Sequence, residues 1–194
     1  LGGSGVDTIV GGAGGGDRLI GGDGSDIIDL TTGSGDLDTV ILTCVAITSA
    51  EGNVDSISNF YSASTGGSAD TLLFGSTFTG GVAFGSGAYN ILASDSVTSG
   101  NSASINGKIV DVTGSVANYS AEANAVTLFG SAFSNAASEK AIFLLDNGAN
   151  TYIYYVDDSF DGTATTVTAT DVVLIGVLDA VNGVPAFTAA TFGT

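Results

Sequence analysis

The stretch GGSGVDTIV (2–10), GGAGGGDRLI (11–20), GGDGSDIID (21–29) decides how this chain is read. Three times a glycine-rich turn leads to an aspartate, and three times a short apolar run follows. Glycine tolerates positive φ, so each glycine pair lets the backbone bend tightly with its carbonyl oxygens turned toward a common centre. Asp7, Asp17 and Asp26 then add a charged oxygen to each turn. The runs 8–10, 18–20 and 27–29 are long enough only for minimal strands, whose middle residues Ile9, Leu19 and Ile28 face inward. One turn alone offers fewer oxygens than the ~6 to 8 a hard cation takes, so such turns must stack and share. A flexible glycine linker is the competing reading of this composition. It gives no reason for an aspartate and an aliphatic residue to recur at the same phase.

The repeated nonapeptide resembles the RTX repeat. That resemblance implies a parallel β-roll whose turns alternate sides, each sharing calcium with the turn two repeats later. On this mapping Gly3, Gly5 and Asp7 face Gly22, Gly24 and Asp26. Gly12, Gly14 and Asp17 would face the degenerate stretch 33–38, with Asp36 and Asp38 as ligands. The second repeat carries an extra residue within Gly14, Gly15 and Gly16, and the fourth lacks a leading glycine pair. Downstream, 54–60 followed by 70–74 resembles the segment after such arrays, with Asn59 where an acid often stands. Asp55 and Asp70 are left open between ion ligands and solvated turn carboxylates.

Charge and composition narrow the function. The chain has 194 residues, 44% hydrophobic and 12% charged, which excludes the polar signature of intrinsic disorder. A chain of this length buries about 70% of its unfolded surface. Twenty acidic residues stand against three basic ones, and the net charge of -17 drives the compact state apart unless cations neutralise it. The same charge repels nucleic acid, and Arg18, Lys108 and Lys140 form no basic patch. No apolar run reaches the ~18 residues of a membrane-spanning helix. A lone Cys44 excludes an internal disulfide and reads as a small strand residue. With no histidine, the chain holds no Ser-His-Asp triad, Cys-His pair or two-histidine zinc helix. No nucleophile elbow or phosphate loop is present either. A non-catalytic segment is expected. The chain opens inside a repeat, so further repeats are expected upstream.

The fold expected is mainly β, in three parts: a calcium-binding roll with a capping strand over 1–47, a β-rich continuation over 48–118, and a helix, hairpin and final strand over 119–194. Residues 40–47 read as the capping strand. Short strands are expected at 82–84, 89–92 and 109–112. Val126, Phe129 and Phe133 recur at helical spacing, predicting an amphipathic helix over 121–137. Residues 141–145 and 151–156 flank an Asn-Gly turn and predict a hairpin, with Tyr152, Tyr154 and Tyr155 filling both of its faces. Asp157, Asp158 and Asp161 open like an EF-hand loop, but Thr168 holds the twelfth position, so an acidic turn is preferred. A last strand is read over 171–177.

The last third, with Phe187 and Phe192 near its end, resembles proteins exported by the type I pathway. Its implications are a secreted or cell-surface location, the type I secretion machinery as a partner, and folding on calcium after export. Self-assembly or a cell-surface glycan are further expected contacts. The reading is the end of a surface protein of S-layer or adhesin type. The alternative is the non-catalytic tail of a secreted protease or lipase with its active site upstream.

Overall fold

The computed structural model describes residues 1–30, 37–43, 54–61, 70–75, 89–93, 107–113, 124–126, 140–157, 168–179, 187 and 191–192. Thirteen strands are present among them: β1 (Gly3–Ser4), β2 (Thr8–Val10), β3 (Arg18–Ile20), β4 (Gly22–Asp23), β5 (Ile27–Asp29), β6 (Thr39–Leu42), β7 (Asp55–Ser58), β8 (Thr71–Phe74), β9 (Tyr89–Ala93), β10 (Lys108–Thr113), β11 (Lys140–Asp146), β12 (Asn150–Asp157) and β13 (Val172–Asp179). The chain is mainly β.

From β2 to β8 the longer strands alternate between two parallel sheets. β2, β5 and β7 lie side by side in one, and β3, β6 and β8 form the other. Two-residue bridges between β1 and β4 stack the first glycine turn on the third. The larger sheet then continues from β7 through β13, β12, β11 and β10 to β9, giving eight strands. Alternation of side chains along each strand sends Ile28, Ile57 and Leu178 into the space between the sheets, where Leu19, Val40 and Leu72 meet them. Ile9 packs partly buried against the same core. The three inward residues read from the repeats therefore point as expected.

Residues 40–47 were expected to cap the roll. β6 ends at Leu42, residues 44–50 lie outside the described residues, and β6 is the central strand of its sheet, paired on both sides. Val40, Ile41 and Leu42 point to alternate faces and are all buried, so both faces of β6 are covered, which accounts for the continuous apolar run. β7 and β8 extend the same two sheets past residue 47.

The predicted hairpin is present: β11 and β12 pair antiparallel from Lys140↔Asp157 to Asp146↔Thr151. Asn147 Oδ1 accepts from the backbone N–H groups of Ala149 and Asn150, and Gly148 takes φ 81° to close the turn. A second core lies on the opposite face of the large sheet, built from Val110, Phe143, Leu145, Tyr154 and Val172. Tyr155 belongs to the first core while Tyr152 and Tyr154 belong to the second, so the tyrosines fill both faces. β12 is buried along nearly its whole length for this reason. β13 runs Val172–Asp179 and sits between β7 and β12, an interior strand although it comes last in sequence. Phe187 and Phe192 are buried in the first core, and Phe192 bridges to Leu72 of β8.

Strands at 89–93 and 108–113 match two of the expected islands, whereas 82–84 lie outside the described residues. Of the helix expected over 121–137, only 124–126 are described; these three are helical, and the rest lies outside the described residues. Cys44 lies outside them as well.

The stacked turns make a sharp demand on two glycines. Gly22 and Gly24 have φ of 110° and 133°, and a Cβ on either would lie 2.1 Å from the carbonyl oxygen of Gly3 or Gly5 respectively. Gly3 has an ordinary φ and open space around it. Gly24→Ala should therefore destabilise the fold by about 2 kcal/mol or more, and Gly3→Ala by less than about 0.5 kcal/mol, in denaturant titrations.

Candidate metal centre

Each repeat aspartate is fixed by the strand that follows it. In the first turn pair, Gly2, Gly3 and Gly5 donate backbone hydrogen bonds to the carbonyls of Ile20, Gly21 and Asp23 at 2.9, 3.0 and 2.7 Å. The N–H of Ile27 donates to the carbonyl of Asp7 at 2.9 Å. This stacking brings Asp7 beside Asp26, and the Asp7 N–H donates to Asp26 Oδ1 at 2.8 Å.

The same contact recurs along both sheets. Asp26 N–H donates to Asp55 Oδ1 at 3.0 Å, extending the first ladder to Asp7, Asp26 and Asp55. Asp17 N–H donates to Asp38 Oδ1 at 3.0 Å and Asp38 N–H to Asp70 Oδ1 at 3.1 Å, giving a second ladder of Asp17, Asp38 and Asp70. Asp26 and Asp38 are each 1% exposed, and Asp55 and Asp70 are 3% exposed. Burying carboxylates so completely is costly unless their oxygens are paired.

The expected partners thus come together in part. Gly3 pairs with Gly22, the Gly5 carbonyl abuts Gly24, and Asp7 bonds to Asp26. Asp17 meets Asp38. Gly12 and Gly14 take φ of 90° and 126°, open to solvent on the side where a Cβ would stand. Asp36 lies outside the described residues.

The reading of Asp55 and Asp70 as solvated turn carboxylates is corrected: both are buried rungs of the ladders. Asp70 also closes a loop, its Oδ2 accepting from Tyr61 N–H at 2.7 Å while its own N–H donates to the Tyr61 carbonyl at 2.9 Å. Asn59 sits at φ 61° and donates through Nδ2 to Asp29 Oδ1 at 2.7 Å, which accounts for an amide at that position. A sequence signal for the two extra rungs exists. Asp, any residue, then an aliphatic recurs at 7–9, 17–19, 26–28, 38–40, 55–57 and 70–72, even where the glycine turn has been lost. Asp157 is likewise no solvated turn residue; it is buried, 3.0 Å from Lys140 Nζ, and accepts from the Tyr155 hydroxyl at 3.2 Å. Asp158 and Asp161 lie outside the described residues.

The fit to a calcium ion rests on the second carboxylate oxygen. While Oδ1 of Asp26 serves the ladder, its Oδ2 is buried with no hydrogen-bond partner among the described residues. It lies back under its own turn, 2.2 Å from where a Cβ on Gly21 would be. Asp7 Oδ2 lies under Gly2 in the same way, at 2.6 Å. A buried carboxylate oxygen without a hydrogen-bond partner is the donor chemistry that hard cations take. Among the described residues no three Asp, Glu, Cys or His side chains converge, so the remaining ligands of such an ion would be backbone carbonyls.

Electrostatics point the same way. Burial, with the neighbouring Asp26 charge adding to it, pushes the Asp55 carboxyl up from 3.8 to about 7, against the lowering effect of the Asp26 N–H. Without a cation, a proton is what relieves this rung at neutral pH.

Searches against protein-family models, curated proteins and solved structures returned no match.

In calcium-free buffer Asp55 contributes stability that is full below about pH 4, where folded and unfolded forms both hold the proton, and that is lost as pH rises through about 7. The loss is on the order of a few kcal/mol. The strand signal of the calcium-free parent chain, followed by far-UV circular dichroism, should accordingly decline across this range, with a markedly flatter profile in Asp55→Asn.

Proposed function

We propose that this chain is a non-catalytic calcium-binding domain of the RTX kind, a β-roll that becomes compact when calcium enters its stacked glycine turns. The observation that carries the reading is the buried Asp26 Oδ2, unpartnered among the described residues and lying under a glycine turn whose neighbour in the stack is a second such turn. The residues proposed to hold calcium are Asp7 and Asp26, with carbonyls of the turns around Gly3, Gly5, Gly22 and Gly24. Around Gly12 and Gly14, Asp17 and Asp38 would serve a second site with Asp36. Calcium supplies the positive charge that a chain of net -17 lacks.

This chemistry suits an exported protein. Calcium sites in extracellular modules have dissociation constants of roughly 0.1 to 1 mM, so the turns would stay empty in calcium-poor cytosol and fill outside the cell. A chain kept open by carboxylate repulsion can thread a type I channel and fold on emergence. We assign it to the surface-protein class, of S-layer or adhesin type, in which a calcium-ordered fold supports assembly. The described residues include no helix long and apolar enough to cross a membrane.

Far-UV circular dichroism should show strand signal rising with calcium at millimolar midpoint and falling with chelator. Identical folded spectra in both conditions would contradict the proposal. Asp26→Asn separates the metal from the scaffold, because the amide oxygen still accepts from Asp7 N–H while the charge is gone. It should weaken calcium binding by tenfold or more in calorimetry and leave the calcium-saturated strand content in place.

A further inference from the structure

The hairpin of β11 and β12 is closed at one end by its turn and held at the other by a pair of charged side chains. Lys140, the first residue of β11, stands opposite Asp157, the last residue of β12. Directly opposed residues of an antiparallel pair project from the same face of the sheet, so the two side chains meet without crossing another strand. Lys140 Nζ lies 3.0 Å from Asp157 Oδ2, and the two side chains are only 20% and 7% exposed. The hydroxyl of Tyr155, a fully buried residue, donates to the same Oδ2 at 3.2 Å.

A third group lies at the same end of the sheet. Val156 of β12 pairs antiparallel with Val172 of β13, so one step further out Asp157 and Asp171 follow on the two neighbouring segments. Asp171 is fully buried. Thr168 donates to its Oδ2 through the backbone N–H at 2.7 Å and the hydroxyl at 2.8 Å, while its Oδ1 is buried with no hydrogen-bond partner among the described residues. The ends of three adjacent strands thus bring an amine, a carboxyl group and a second carboxylate into one row. An ion pair accounts for the first two groups. It gives no reason for a buried acceptor oxygen left without a donor next in the row.

We propose that Lys140 and Asp157 condense into an amide, an internal cross-link between the two side chains. A proton passes from Nζ to Asp157 Oδ2, which leaves an amine facing a carboxylic acid. The nitrogen lone pair attacks Cγ, Asp171 Oδ1 carries a second nitrogen proton to Oδ2, and Oδ2 departs as water. Asp157 Oδ1 becomes the amide oxygen, and Asp171 ends as it began. The Tyr155 hydroxyl holds the departing oxygen in place. Contact at 3.0 Å within a fixed sheet supplies the proximity that such a condensation needs, and low exposure keeps water from reversing it. The bond lies at the end of the hairpin opposite Asn147 and Gly148, so it closes β11 and β12 into a covalent ring. This inference stands on the hairpin and is separate from the metal reading.

The test uses the full chain, folded as judged by its far-UV circular dichroism, then denatured and digested with trypsin. The intact chain should be lighter by one water molecule. Trypsin should cut after Arg18 and Lys108 but not after Lys140, whose amidated nitrogen no longer carries the charge the protease recognises, and fragment spectra should join Lys140 to Asp157. Lys140→Arg keeps the charge pair and the strand signal, yet should show its full mass and be cut at that position. Asp171→Asn should slow cross-linking by about a hundredfold or more with the strand signal retained. Full mass with cleavage after Lys140 in the folded parent chain would overturn the proposal, as would a lost water mapped to any other pair of residues. Cross-linking at an unchanged rate in Asp171→Asn would overturn the role given to Asp171.

Discussion

The interaction on which this structure depends is a hydrogen bond from the backbone N–H of one aspartate to the carboxylate of the aspartate one coil further on. Among the described residues it occurs four times, at 2.8 to 3.1 Å, along two stacks of parallel strands. Each such bond ties a side chain to the main chain of a neighbouring coil, so it fixes register as well as spacing. A slip by one residue would remove the carboxylate from its donor and turn Ile28 and Ile57 from the core to the outside. Strand-to-strand spacing in a parallel sheet is about 4.8 Å, and the turns must keep that same spacing. Only residues without a Cβ allow it where Gly22 and Gly24 meet the carbonyls of Gly3 and Gly5.

The same arrangement creates an electrostatic conflict. Stacking carboxylates in register places like charges in a buried row, within a chain already at -17. Backbone N–H groups offset part of the cost by stabilising the charged form, but they satisfy only one oxygen of Asp26. The conflict is visible at Asp55, whose burial and proximity to Asp26 favour the protonated acid up to about pH 7. In the proposed reading, such a fold gains stability when something positive enters the row. A proton and a divalent cation are the two candidates, and they act in opposite directions with pH, which links the architecture to a condition-dependent fold.

Much of this was legible in the sequence, and the limits are instructive. The phase of glycine, aspartate and aliphatic residue marked the repeats, and the resemblance to the RTX repeat implied the pairing of Gly3 with Gly22 and Asp7 with Asp26 that the structure brings together. The hairpin was legible because Asn147 and Gly148 supply its turn chemistry locally. Asp55 and Asp70 were harder to place, since neither follows the full Gly-Gly-x-Gly-x-Asp pattern and the Asp-x-aliphatic phase is the clearer signal. For 40–47 an apolar run does not reveal whether a strand ends a sheet or lies inside it; partner strands at 18–20 and 71–74 place 39–42 inside one. β13 lies between β7 and β12 for a reason no local signal carries, namely the long-range pairing of Gly176 with Asp55. Asp157 resembled a turn residue until Lys140, seventeen positions earlier by the numbering, was found opposite it.

The most direct test of the ladder is amide hydrogen exchange of the Asp26 and Asp38 N–H groups, followed by NMR in calcium-saturated protein. If each is held by the carboxylate of the next coil, both should exchange at rates limited by global unfolding, and each should accelerate by orders of magnitude when its own acceptor alone is removed, Asp55→Ala for Asp26 and Asp70→Ala for Asp38. Exchange of these two amides at the rate of an exposed turn in the unaltered protein would contradict the account.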